Sequence, residues 1–229
     1  MLLGFLHWMG YGLCHQLPQR SFFGGGVQVP VCARDTGIYL GFALSFAILA
    51  IIHSGQRPRG FPTTPAWILM GLFLAVMGWD GVSSYAGLRT TTNDLRLITG
   101  LGVGFSAAAV VYPMLQDELW RQQTQDRVLS PLWRLLVWLS CIPLSFLFIR
   151  FVAPSLGVAY PVVVAGGILV TLTSINLVMV AMLPAFDRRG EGLRDVVLPL
   201  GIAFAGAVAE IVGSGYLRLV LERLVGRLG

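Results

Sequence analysis

Six apolar runs fill most of this 229-residue chain, and they limit its fold more than any motif does. They cover about residues 37–53, 65–79, 95–115, 131–152, 158–185 and 196–220. Roughly 20 apolar residues in a helix cross the ~30 Å hydrocarbon core of a bilayer. Inside that core the backbone must satisfy its own polar groups, which a helix does within a single segment. Composition points the same way. Only 12% of the residues are charged and 55% are hydrophobic, with a mean hydropathy of +0.75. A soluble domain carries about 25% charged residues to face water. The expected fold is all-α: a polytopic transmembrane bundle of about six spans, one integral membrane domain over residues 1–229, multi-pass in the cell membrane.

The first two runs are short for the core and should extend into the polar turns beside them. Residues 2–13 are apolar but too short to span, which predicts a short N-terminal helix at the interface or against the bundle. The start of the chain has no basic stretch and no small-residue cleavage site, so no removable signal peptide is expected.

All sixteen cations are arginines, and the net charge is +5. Genomic base composition accounts for that choice. Most of the arginines flank apolar runs, so their charge relates to head groups and orientation, and nothing resembles a nucleic-acid module. Membrane lipids are the expected partners. Arg57, Arg59, Arg121, Arg127, Arg188, Arg189 and Arg194 fall in one set of loops, which is assigned to the cytoplasm. Arg20, Arg34, Arg89, Arg96, Arg218, Arg223 and Arg227 fall in the other, and Tyr216–Leu228 reads as an amphipathic tail. Small residues inside the spans, such as Gly100, Gly102, Gly104, Gly166 and Gly167, suit close helix packing.

Two polar segments carry the chemistry. The first, residues 14–36, contains Cys14-His15-Gln16, Arg20, a Gly24-Gly25-Gly26 turn and then Cys32-Ala33-Arg34-Asp35. Thiolate, imidazole and carboxylate together can hold zinc tetrahedrally, which makes Cys14, His15, Cys32 and Asp35 candidate ligands. The triglycine lets the chain fold back so that the halves meet. A Cys14–Cys32 disulfide is the competing reading, and neither outcome is a third. Cys141, inside an apolar run, suits a small core residue.

The second segment, residues 79–100, contains Asp80, Arg89, Thr91, Thr92, Asn93 and Arg96. Thr92 or Asn93 can cap the third span, and a helix N-terminus beside arginines suits an anion. Arg20, Arg34, Arg89, Asn93 and Arg96 are the candidate anion-binding residues, with Asp80 as the candidate catalytic base. The plain alternative is capping and Asp–Arg pairing at the interface. Parity joins the two segments: one span leaves the face and the next returns, so both lie at the same face. That face is expected to be extracytoplasmic.

Two polar residues fall inside spans. Glu210 is costly in lipid and calls for a partner or a function; Arg150 is the expected partner. Asn176 suits interhelical hydrogen bonding. His7 and His53 read as bystanders.

The stretches Cys-His-Gln-x-x-x-Arg-Ser-Phe, Pro-Val-Cys-Ala-Arg-x-Thr-Gly-Ile-Tyr and Thr-Asn-x-x-Arg-x-x-Thr-Gly resemble a family of predicted prokaryotic membrane proteins, domain of unknown function 2085. The resemblance covers about residues 10–105 by motif. In the family pattern a second cysteine commonly follows Ala-Arg; here that residue is Asp35. The resemblance implies a prokaryotic membrane protein and no particular activity. Three functions compete: a zinc site acting on an anionic or phosphorylated lipid, a transporter or lipid flippase, and a structural or assembly subunit of a membrane complex.

Overall fold

The computed structural model describes residues 2–225, so Arg227 and the end of the expected tail lie outside the described residues. Seven α-helices follow one another: α1 Leu2–Tyr11, α2 Ala33–Ile52, α3 Thr64–Tyr85, α4 Asn93–Leu119, α5 Leu132–Leu147, α6 Ala159–Ala181 and α7 Leu193–Val225. Six of them, α2 to α7 with α5 continued to Leu156, are long and apolar enough to cross a membrane. The expected bundle of six spans is therefore present, and α2 and α3 do run on into the polar turns. Among the described residues strands are confined to two short pairs. Phe23–Gly24 (β1) pairs antiparallel with Val27–Gln28 (β2), and Pro58–Gly60 (β3) pairs parallel with Thr124–Arg127 (β4).

Local chemistry sets the helix ends. The Thr92 side chain accepts from Leu95 N at 3.2 Å, so Thr92 rather than Asn93 caps α4. Gly87, at φ +71°, ends α3. There the N–H of Leu88 reaches Ser83 O and that of Gly87 reaches Ser84 O, the paired bonds of a Schellman stop. α5 gives way to a wide turn over Phe148–Val152 and a tight turn over Ala153–Leu156, where Pro154 cannot donate a helical bond. α1 lies on α7, with Trp8 edge-on to Tyr216 at 5.6 Å between ring centres. α7 continues unbroken through Tyr216 to Val225, so the expected tail begins as an extension of the last span.

The centre of the bundle is the parallel pair α2 and α4. A Cβ on Gly100 would lie 2.1 Å from Arg34 O, one on Gly104 2.2 Å from Ile38 O, and one on Gly37 2.5 Å from Leu97 O. These three glycines let backbone touch backbone, as small residues do where helices pack in lipid. Gly102 admits Phe73 of α3, and Gly167 admits Leu40. Gly166 differs from the expectation: nothing lies within 4 Å of its Cβ position, so it faces open space.

Gly104→Ile should force α2 and α4 apart and cost at least about 3 kcal/mol. Gly166→Ala, with room to spare, should leave stability unchanged. Thermal unfolding of the two purified variants checks this, and equal melting temperatures would show that the close contact does not hold the bundle.

Candidate functional site

The two polar segments meet at one membrane face, at the start of α2 and α4 and the end of α3. The first is shaped by a tight hairpin. Gly25 and Gly26 have φ of +57° and +78° between the paired Gly24 and Val27, as a two-residue hairpin turn requires. Gln16 and Gln28 then fasten the loop. Gln16 Nε2 donates to Pro30 O at 2.7 Å and to His7 O at 2.8 Å, while Gln28 Nε2 donates to Gln16 O at 2.9 Å. These bonds place residue 14 beside residue 32. Arg218, reaching across from α7, donates to the carbonyls of Tyr11 and Cys14 at 2.6 and 2.7 Å.

Cys14, Cys32 and Asp35 consequently converge, each able to offer a ligand atom within 4.8 Å of the others. All three cysteines of the chain are free thiols, so the structure has no Cys14–Cys32 disulfide. Cys32 caps α2. Its N–H donates to Cys14 Sγ at 3.2 Å, and its own thiol donates to Asp35 Oδ2 at 3.2 Å. Hydrogen bonding from Cys32 holds Cys14 below the usual thiol range, and that same contact, with burial, pushes Cys32 up. His15 does not join the cluster: it is exposed, and neighbouring side chains diverge where the backbone is extended. It does line the same cavity, of about 420 Å³, together with Gln16, Arg20, Arg34, Tyr85 and Arg96.

The second segment builds a charge cluster behind this cavity. Asp80 is 1% exposed. Arg34 donates to its Oδ2, and Arg89 and Thr91 donate to its Oδ1 at 2.6 and 2.7 Å. The Schellman stop at Gly87 turns the chain so that Arg89 folds back over Ser83, its Nε 2.8 Å from Ser83 Oγ. Asp80 is the candidate base, and its geometry does not suit that role. Both oxygens are occupied, and it lies behind the arginines rather than on the cavity wall. A base needs an open lone pair facing the proton it takes.

The remaining arginines are less committed. Arg96, 8% exposed, donates to Asn93 Oδ1 at 3.2 Å. Arg20 lies over the Tyr85 ring at 5.7 Å. Among the described residues neither forms an ion pair, and both line a second cavity that also includes Arg89 and Thr91. Arg20, Arg34, Arg89 and Arg96 together face Asp35 and Asp80, leaving two positive charges in excess. Asn93, with Nδ2 3.3 Å from Gln19 O, ties α4 to the first segment.

Glu210 and Asn176 lie elsewhere. The expected Glu210–Arg150 pair is not formed. Arg150 Nε donates to Asp94 Oδ1 at 2.5 Å, because the end of α5 meets the start of α4. Glu210 is exposed on the side of α7. Asn176 is buried on α6, its Nδ2 3.3 Å from where a Cβ on Gly206 of α7 would be; it packs against that helix, and its Nδ2 makes no hydrogen bond among the described residues, so the expected interhelical bond is not formed.

A family model described as "Predicted membrane protein (DUF2085)" matches residues 14–110. An uncharacterised protein of Methanocaldococcus jannaschii is 36% identical over 110 residues, 48% of this chain and 68% of the relative. The chain belongs to the DUF2085 family. A second uncharacterised relative, from Methanothermobacter thermautotrophicus, is also 36% identical, over 99 residues that cover 43% of this chain and 83% of that protein. No solved structure matches. The matched segment contains the hairpin, the Cys14–Cys32–Asp35 cluster, all four arginines and the α2–α4 contact.

Sequence reasoning named the ligand types but missed the residues that hold them: Gln16, Gln28, Ser83 and Arg218. Gln16 stands inside the Cys-His-Gln motif, and its positive φ of +53° marks a strained position. Arg218 carried no local signal, because its targets are carbonyls some two hundred residues away.

Removing the carboxylate at Asp80 leaves Arg34 and Arg89 facing each other. Asp80→Ala should cost about 3 kcal/mol, as expected when one partner of a buried pair is lost. Asp94→Ala, which breaks the half-exposed pair with Arg150, should cost under about 1 kcal/mol. Denaturation of both variants checks this, and similar losses would show that the burial of Asp80 carries no special weight.

Proposed function

We propose that the DUF2085 signature face is a zinc-dependent site for a phosphate-bearing lipid head group. The supporting observation is that one cavity is lined both by a Cys14–Cys32–Asp35 cluster and by the unpaired Arg20 and Arg96. Two sulfurs and a carboxylate oxygen suit zinc. Ligand atoms around a tetrahedral ion lie about 3–4 Å apart, and the 3.2 Å between Cys32 Sγ and Asp35 Oδ2 is within that range. The Cys32 thiol donates to Asp35, and metal binding would release its proton. Zinc on three protein ligands keeps a fourth position for water or a ligand oxygen and acts there as a Lewis acid.

The protein's own part is electrostatic. Arg20 and Arg96 offer planar forks that match phosphate oxygens. Arg34 and Arg89, held on Asp80, raise the local positive potential without being consumed by it. In this reading Asp80 fixes the arginines in place and does not move protons.

The signature face is extracytoplasmic in this proposal: the two loop sets carry equal numbers of arginines, but Arg20, Arg34, Arg89 and Arg96 are committed to the site, which leaves Arg57, Arg59, Arg121, Arg127, Arg188, Arg189 and Arg194 to set the orientation. A cysteine at exposed Gln19 should react with an impermeant maleimide on intact cells. One at exposed Asp126 should react only after lysis. The reverse pattern would invert the assignment.

Elemental analysis of the full chain, purified without chelator, should find about one zinc per chain, lost in Cys32→Ser and kept in Arg96→Gln. Phosphorus analysis should find phospholipid retained through detergent exchange, reduced about tenfold in Arg96→Gln. Inorganic phosphate that displaces none of this lipid would identify the head group as the ligand. Zinc-free protein, or zinc unaffected by Cys32→Ser, would rule out the metal half of the proposal.

A further inference from the structure

The opposite membrane face holds a second polar cavity, of about 840 Å³, which the signature site does not use. It opens where α2 and α4 end and α7 begins, and its wall includes His53, Arg57, Gln116, Trp120 and Thr124. The sequence suggested no role for His53. In the structure it is 1% exposed and forms the end of α2.

Its tautomer follows from its neighbour. Arg134 Nη1 lies 3.2 Å from His53 Nδ1, and a guanidinium can only donate. Nδ1 is therefore the acceptor and the proton of the neutral ring sits on Nε2. Burial, and then the charge of Arg134, push His53 down to about 4, so the ring is neutral near pH 7. The same arginine donates to Ser130 O and to Gln56 Oε1, each at 3.1 Å, which fixes the ring from behind. Nε2–H is left as a buried donor with no protein acceptor, and Thr124 Oγ1 on the same wall is also buried and unpartnered. A buried donor without a partner costs about 1–3 kcal/mol, so both groups call for an acceptor from outside the protein.

Charge decides what kind of acceptor. The carbonyl ends of α2 and α4 bring about half a negative charge each, and the start of α7 about half a positive one. Arg57, stacked 3.7 Å over Trp120, and Arg134 add two full positive charges. Glu191, also on the wall, is paired with Arg121, and Asp126, whose charge reaches His53, takes back one unit. The balance is positive.

We infer that this cavity binds a phosphate-bearing small molecule or head group, whose oxygens accept from His53 Nε2 and Thr124 Oγ1 beside Arg57. The site is independent of the signature face, from which the bundle separates it.

Two substitutions divide the histidine's roles. His53→Asn keeps an oxygen near the Nδ1 position for Arg134 and removes the Nε2 donor. His53→Gln puts an amide donor near the Nε2 position. Glycerol phosphate is titrated calorimetrically into the full chain in phosphatidylcholine nanodiscs, and retention of phosphatidylglycerol is measured in parallel. Saturable binding of the first assigns a soluble ligand; retention of the second alone assigns a head group. In either arm His53→Asn and Thr124→Val should each weaken binding about tenfold, and His53→Gln should restore much of it. Both arms are read in the Arg96→Gln background, which weakens retention at the signature face, so that what remains belongs to this cavity. Absence of both kinds of binding would overturn the inference. So would binding in that background that is indifferent to His53→Asn and Thr124→Val, or binding found only with Arg96 in place, which belongs to the signature face. Should His53→Asn fail to fold, Thr124→Val and Arg57→Gln read the same donors.

Discussion

The backbone contact between α2 and α4 is the constraint on which the rest of the structure depends. Gly37, Gly100 and Gly104 bring the two helices close enough that a methyl group at any of them would collide with a carbonyl of the other. The pair is parallel, so both N-termini lie at one face. Cys32, Arg34 and Asp35 on the first turns of α2 thereby come beside Arg96 on the first turn of α4. The Thr-Gly of each signature stretch sits at this crossing: Thr36 is 0% exposed and Thr99 6%. What reads in sequence as a site motif is thus partly a packing motif, and one substitution there would disturb both roles.

Close packing gathers the charges, and the intervening segments keep them from cancelling. Asp80 could have neutralised Arg20 or Arg96, but the Schellman stop and the fold-back of Arg89 give both its oxygens to Arg34, Arg89 and Thr91. A carboxylate that is 1% exposed and holds two guanidiniums fixes their positions in a low-dielectric setting, where placement matters more than in water. The excess charge is left on Arg20 and Arg96, which line the cavity. The hairpin and the glutamines Gln16 and Gln28 do for the thiols what Asp80 does for the arginines.

The spans were legible because hydrophobic length is a strong local signal, and the shared face followed from counting crossings. Thr92 as a cap and the glycine turn were legible for similar reasons, each requirement being written within a few residues. The exact donor set was not. Cys14 and His15 are equivalent on paper, and only the backbone direction at residue 14 turns one inward and the other outward. The Glu210–Arg150 pairing failed because intramembrane charges were matched by depth alone, whereas Asp94 offered Arg150 a partner at a helix terminus. His53 was passed over because its importance comes from Arg134, far along the chain, which fixes its tautomer.

The chain's exclusive use of arginine follows from base composition as far as sequence can say, yet the structure uses what lysine lacks. Arg218 bridges the carbonyls of Tyr11 and Cys14 with one nitrogen while its Nε donates to Glu222 at 2.8 Å. Arg134 serves Ser130, His53 and Gln56 at once, and Arg89 joins Ser83 to Asp80. An ammonium group is one compact point with three donors; a guanidinium spreads five over a rigid plane. Each of these three arginines adds a polar tether to segments that also pack on one another, as Arg218 does beside the Trp8–Tyr216 contact. The bundle's polar ends are built around the arginine fork, and a lysine at residue 218, 134 or 89 would leave at least one of those acceptors unmet.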